Sequence, residues 1–190
     1  NLGRPQEFDF ICGGGNIAEV KDRLYDQWDQ PTQQAFDQYW ERFLEILPEE
    51  LQPSEGELLD GVEVAKHLNA LLSDADPSVR QDAGQRMMQL HTLIGAMPPP
   101  LQVTQMLNDP SQPFVQPLIR MATIGSHYFA NNMFFPDENH IIDNLDKFPD
   151  DLKVNIIHGT DDMLCNVQQA RDLRDALQAR GIEPLNYVEV

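Results

Sequence analysis

The strongest constraint in this 190-residue chain is a change of period at Leu152. Before it, apolar residues recur at helical spacing. After it they gather into two compact stretches, Val154-Asn155-Ile156-Ile157-His158 and Leu185 to Val190. The first stretch runs into a turn, Gly159-Thr160-Asp161-Asp162. Asn166 is placed to cap a helix carrying Val167, Ala170, Leu173 and Leu177, and Gly181 is placed to end it. Strand, turn, helix and strand make a βαβ unit, whose strands pair in parallel within one sheet. A single unit is too small to form a stable sheet alone. The fold class expected is α/β, with this unit as part of an incomplete parallel sheet.

Upstream, the spacing predicts a helical block. Ile17, Val20, Leu24 and Trp28 share one face. Phe36, Tyr39, Trp40, Phe43, Leu44 and Leu47 form a second, stopped by Pro48. Leu58, Leu59, Val62, Ala65, Leu68 and Leu72 form a third. Asp76-Pro77 is a helix start, with a capping carboxylate followed by proline at the first helical position. That helix carries Val79, Ala83, Met87, Leu90 and Ile94. Pro98-Pro99-Pro100 breaks the pattern, and further helices are expected at 101–108 and about 115–131.

Residues 7–12, Glu-Phe-Asp-Phe-Ile-Cys, alternate and then run apolar, so a short strand is expected there, with Gly13-Gly14-Gly15 as its flexible exit. Three regions follow: 1–15 as the edge of a sheet core, 16–151 as a helical cap inserted between strands, and 152–190 as the βαβ part of the core.

Acidic residues number 31 against 13 basic ones, a net charge of −18. Phosphate would be repelled, so no nucleic-acid partner is expected. No apolar run reaches the roughly 18 residues of a membrane span, and none is expected to enter a bilayer. Cys12 and Cys165 are too few for a disulfide framework or a zinc site. They are expected to be buried thiols in a reducing, cytoplasmic setting. No metal or organic cofactor is implied.

The chemistry centres on Ile157-His158-Gly159-Thr160-Asp161-Asp162. A carboxylate just past the C-terminal end of a parallel strand faces the crevice where open α/β sheets place their sites. It is either a turn or cap aspartate, or the acid of a Ser-Asp-His order of residues, where it would orient an imidazole. Of the five histidines, His67 and His91 lie on predicted helices without a ligand-like partner at i+4. His140 follows an acidic loop and is expected to be exposed, and His158 ends a strand.

Three segments carry a family resemblance. Gly159-Thr160-Asp161-Asp162-Met163-Leu164-Cys165 resembles the Gly-Arg-Tyr-Asp-x-x-Cys segment of proline iminopeptidases. His127-Tyr128-Phe129-Ala130-Asn131 resembles their His-Tyr-Phe-x-Asn run, and Asp76-Pro77-Ser78-Val79-Arg80 their Asp-Pro-x-Val-Arg segment. The resemblance implies a partial α/β-hydrolase fold, with Asp162 as triad acid behind a serine that forms an acyl-enzyme. It implies substrate-binding roles for His127, Tyr128, Phe129, Gly125 and His91, and a small-molecule or short-peptide substrate. The rest of the hydrolase core would be the partner of these residues. The sequence contains no Gly-x-Ser-x-Gly; its serines are Ser54, Ser73, Ser78, Ser111 and Ser126. It is expected to begin after the nucleophile helix and to stop before the histidine loop.

The resemblance also implies a glutamate at each of two cap positions that anchor a free α-amine. The aligned residues here are Gly125 and His91, with Asp137 and Glu138 as the nearby acids. The expectation is an enzyme that favours acyl groups lacking a free amine, an esterase or amidase not selective for N-terminal proline. A non-catalytic helical binding module, using exposed apolar faces, is the expectation from a different class.

Overall fold

The computed structural model describes residues 5–12, 14–53, 58–96, 98–137, 139–149 and 151–190. Gly13 and Glu138 lie outside the described residues. Helices dominate: α1 Pro5–Ile11, α2 Gly15–Arg23, α3 Gln30–Leu44, α4 Gly61–Leu72, α5 Pro77–Ile94, α6 Leu101–Met106, α7 Val115–Ala130, α8 His140–Asp143 and α9 Gln168–Ala179. Two strands, β1 Asn155–His158 and β2 Asn186–Glu189, flank α9.

Helix starts follow from local chemistry. The Asp29 carboxylate accepts the Thr32 amide at 3.0 Å to open α3, and Asp60 accepts those of Val62 and Glu63 to open α4. Asp76 accepts the Ser78 amide at 2.7 Å, with Pro77 at the first position of α5. At the first face, Leu24 ends α2 and a short 3-10 turn, Tyr25–Gln27, follows. The aromatic rings of Tyr25, Trp28 and Phe36 then meet edge-to-face or tilted.

The helices α1 to α7 share one core in which Phe36, Val64, Leu68, Leu72, Leu93 and Ile94 are fully buried. α5 and α7 come together where Gly84 has no side chain: a Cβ there would sit 2.8 Å from Ile119 Cγ2. Any larger residue would push the two helices apart.

Residues 7–12 are not a strand. Glu7 to Ile11 lie within α1, and Cys12 follows in a turn. Pro5 fits the first position of a helix, and Glu7 stands in the first turn where the helix dipole favours a carboxylate. The buried pair Glu7 and Ile11 is four residues apart, a helical interval. The Asp9 carboxylate accepts the Gly61 amide at 2.9 Å, which ties α1 to the start of α4. Gly14 takes a positive φ of 82° before α2, packed against Trp40, and turns the chain between two helices.

The βαβ unit forms as expected. β1 and β2 pair in parallel with Asn155 opposite Asn186 and His158 opposite Glu189. The helix starts slightly later than expected, at Gln168, although Asn166 still accepts the Gln168 amide at 2.8 Å. Ile156, Ala170, Leu177 and Leu145 make a small separate core. The other side of the sheet is uncovered, with Ile157 69% and Val190 72% exposed. Met163, in the turn after β1, is buried in the helical core instead, and it pins the sheet unit to the helical block. Arg23 of α2 reaches across to pair with Asp161. Among the described residues no helix is long and apolar enough to cross a membrane.

Candidate functional site

β1 delivers the chain to the turn 159–165, and the turn folds around one carboxylate. Asp162 Oδ1 accepts the amides of Leu164 and Cys165, each at 2.8 Å. Its second oxygen lies 3.8 Å from His158 Nε2 and has no hydrogen-bond partner among the described residues. His158 does not face outward as an acid or base: its Nε2 sits 2.7 Å from the Cys165 carbonyl, to which it donates. The histidine staples the end of β1 to the end of the turn. The neighbouring carboxylate, Asp161, is exposed and engaged by Arg23. Two adjacent aspartates thus have different fates, one solvated and ion-paired, the other fixed by backbone donors.

Beside this turn lies a cavity of about 650 Å3 between α5, α7 and residues 164–165. Its wall is predominantly apolar, with Met87, Met88, Leu118, Met121 and Leu164 among its lining. That size and character suit a small organic ligand. Three of the candidate residues share this wall: His91 from α5, Gly125 and Phe129 from α7. Gly125 opens onto space, since a Cβ there would meet nothing within 4 Å. Cys165 lines the cavity too, half-buried rather than fully buried as expected. Burial, and then the Asp162 charge, push its thiol pKa up. Cys12 is buried and its thiol is pushed up to about 12, by burial and then by Asp9. Neither thiol is an activated nucleophile.

His127 and Tyr128 are outside this wall. They are exposed near the end of α7 and cluster with Phe134, whose ring centroid lies 5.4 and 5.5 Å from theirs. Asn132, Met133 and Phe134 all take positive φ values of 51° to 59°, a left-handed turn that is costly for side chains of this size. Asp137 is exposed and stands 3.4 Å from His140, so it does not replace a missing cavity carboxylate. His140, expected to be exposed, is half-buried and stacks on Phe135. His67 Nε2 donates to the Ile46 carbonyl at 2.8 Å, a structural role. Ser126 is buried and donates to the Thr123 carbonyl, far from the geometry of a nucleophile elbow. Among the described residues there is no cluster of three potential metal ligands.

Among the described residues of the cavity, His91 is the most strongly perturbed titratable group. It lines the open space and is half-buried, yet burial pushes its pKa down to about 4. The sign is fixed by which state binds the proton. The unfolded chain, with an ordinary histidine, takes up the proton near pH 6.5; the folded chain does not until about 4. This contribution to stability is complete above about pH 6.5 and is lost as pH falls towards 4. Denaturant titrations at neutral and acid pH should show His91→Gln abolishing about 2 kcal/mol of the acid-induced loss, discounted for its partial exposure. Equal pH dependence in both proteins would mean that the imidazole is solvated.

With this geometry in place, one comparison bears on the chemistry. The chain is 31% identical over 173 residues to a proline iminopeptidase from Arabidopsis thaliana. The match takes in 91% of this chain but 38% of the length of that relative. No family model matches the chain. The chain therefore has a relative named as a peptidase, and the similarity runs through both the helical block and the βαβ unit.

Leu164 and Cys165 were not singled out from sequence as cavity residues. They follow the aspartate that was, and a turn that closes around its own carboxylate brings the next residues to the same place. His158 had no sequence signal that could separate a staple from a packed strand end.

Proposed function

We propose that these residues supply the triad acid and much of the acyl pocket of a serine hydrolase resembling proline iminopeptidase. One observation carries the reading: Asp162 stands past the C-terminal end of a parallel strand, and the residues it binds are a wall of the cavity. Two backbone amides fix Oδ1 and leave Oδ2 for an outside partner, as an orienting acid requires. The nucleophilic serine and the histidine would come from parts of the protein that these residues do not include.

In that enzyme the serine oxygen forms a bond to the substrate carbonyl carbon while the histidine takes its proton. The carbon–heteroatom bond breaks, and the leaving group receives that proton. Water then attacks the acyl-serine, gives its proton to the histidine, and releases the acid as the serine recovers the proton. Asp162 holds the imidazole in the right tautomer and stabilises its cationic form throughout. No metal or organic cofactor has a part in this sequence. The two free cysteines suit a cytoplasmic setting. The apolar cavity wall favours the variant of this reading in which the substrate is a neutral ester or amide.

The protein expressed from its complete reading frame should be labelled by a fluorophosphonate at a serine and should release nitrophenol from short-chain nitrophenyl esters. A folded protein that neither reacts with the probe nor cleaves any ester or anilide of the series is not a serine hydrolase.

A further inference from the structure

The cavity walls carry an instruction about what can enter. Among the described residues that line the space there is no Asp, Glu, Lys or Arg; Asp162 and Glu7 stand near enough to add to burial in raising the Cys165 thiol pKa but are not in the lining. The titratable side chains in its wall are His91 and Cys165. Neither ring nitrogen of His91 has a hydrogen-bond partner among the described residues. The ring stands in a wall otherwise built largely from methionine, leucine and small residues. A polar ring with unused hydrogen-bonding atoms, lining a cavity of ligand size, is a recognition group rather than packing.

We propose that His91 is the specificity-determining residue of this cavity, a neutral imidazole that hydrogen-bonds the amide or carbonyl of an uncharged, compact acyl group and excludes its ammonium-bearing counterpart. The proposal rests on the reading of the cavity as the acyl pocket, but not on turnover. Its physical basis is selective desolvation. A neutral ring loses little on entering an apolar space, and its amide regains a hydrogen bond from the imidazole. A ring of the same size with an ammonium must shed the hydration of a full charge. No carboxylate among the described wall residues compensates it, and His91 stays uncharged at neutral pH because burial pushes its pKa down to about 4.

Cyclopentanecarboxamide and prolinamide are a matched pair: the same ring size and amide, differing in a ring amine that is protonated at neutral pH. Their binding is measured by ligand-observed NMR titration on the protein expressed from its complete reading frame. The neutral amide should bind about tenfold more tightly or better, a modest fraction of what an unpaired buried cation costs. His91→Glu should reverse the order. His91→Gln should retain the preference, and His91→Leu should weaken the neutral amide alone. Equal binding of the pair, tighter prolinamide binding, or binding of neither amide at tens of millimolar would overturn the proposal. So would an unchanged pattern in His91→Leu, which serves if His91→Glu does not fold. Binding of the neutral amide without any ester cleavage would instead sink the hydrolase reading and leave this one standing.

Discussion

Replacing Asp162 by Asn should lower kcat/KM for a nitrophenyl ester by about ten-thousand-fold, with the fold intact. The asparagine carbonyl can still accept the Leu164 and Cys165 amides, which the aspartate now accepts at 2.8 Å each. What it loses is the negative charge on the second oxygen. An amide there can stabilise neither the right histidine tautomer nor the imidazolium that forms during acyl transfer. Asp162→Ala is a less clean test, because it leaves two amides in the turn without an acceptor and should cost about 1–3 kcal/mol of stability as well. The comparison separates two roles for one residue. If Asp162→Asn is within about tenfold of the parent in kcat/KM, well short of a triad loss, the carboxylate is a turn former only.

The second large effect concerns Gly125. Gly125→Glu should raise the kcat/KM ratio of a prolyl amide over its des-amino analogue by about 100-fold or more. The space is there, since a Cβ at this position meets nothing within 4 Å. The helix gains as well, because glycine in a helix interior costs about 1 kcal/mol relative to alanine and less relative to glutamate. A carboxylate placed in the cavity would be poorly solvated until an ammonium arrived, and the pair would then compensate each other's desolvation. The des-amino substrate would meet an unpaired charge, so the two substrates should move in opposite directions. An unchanged ratio in a well-folded variant would show that the acyl group lies elsewhere.

Much of the helical block was legible because its apolar residues repeat at the helical period over several turns. Phe36, Tyr39 and Phe43 are buried together in α3, as their spacing requires, and the Asp76-Pro77 start signal opens α5. The βαβ unit was legible from the two compact apolar stretches and the capping Asn166. The segment at 7–12 was not, because six residues cannot separate a period of two from one of 3.6. Burial at Glu7 and Ile11 is set by tertiary packing, with α1 lying against α4. The site divides in the same way. Asp162 had a local pattern, strand then turn. That His91 and Gly125, far apart in sequence, share one cavity depends on how α5 packs on α7, where Gly84 admits Ile119. His127 and Tyr128 sit only one or two residues before Phe129, yet helical rotation carries them to the exposed side while Phe129 stays in the wall.

The turn 159–165 performs several tasks with few residues. It binds its own carboxylate, contributes Leu164 and Cys165 to the cavity and buries Met163 in the helical core. Leu164 also presses on the end of α5, where a Cβ on Gly95 would lie 3.0 Å from Leu164 Cδ1. On the proposed hydrolase reading, substrate range could therefore not drift freely. A mutation that widens the cavity by trimming Leu164 would also loosen the loop that holds the proposed acid, Asp162, so a broader diet would come with poorer chemistry. The changes open to selection lie across the cavity, on α7, where Gly125 can grow without touching the acid.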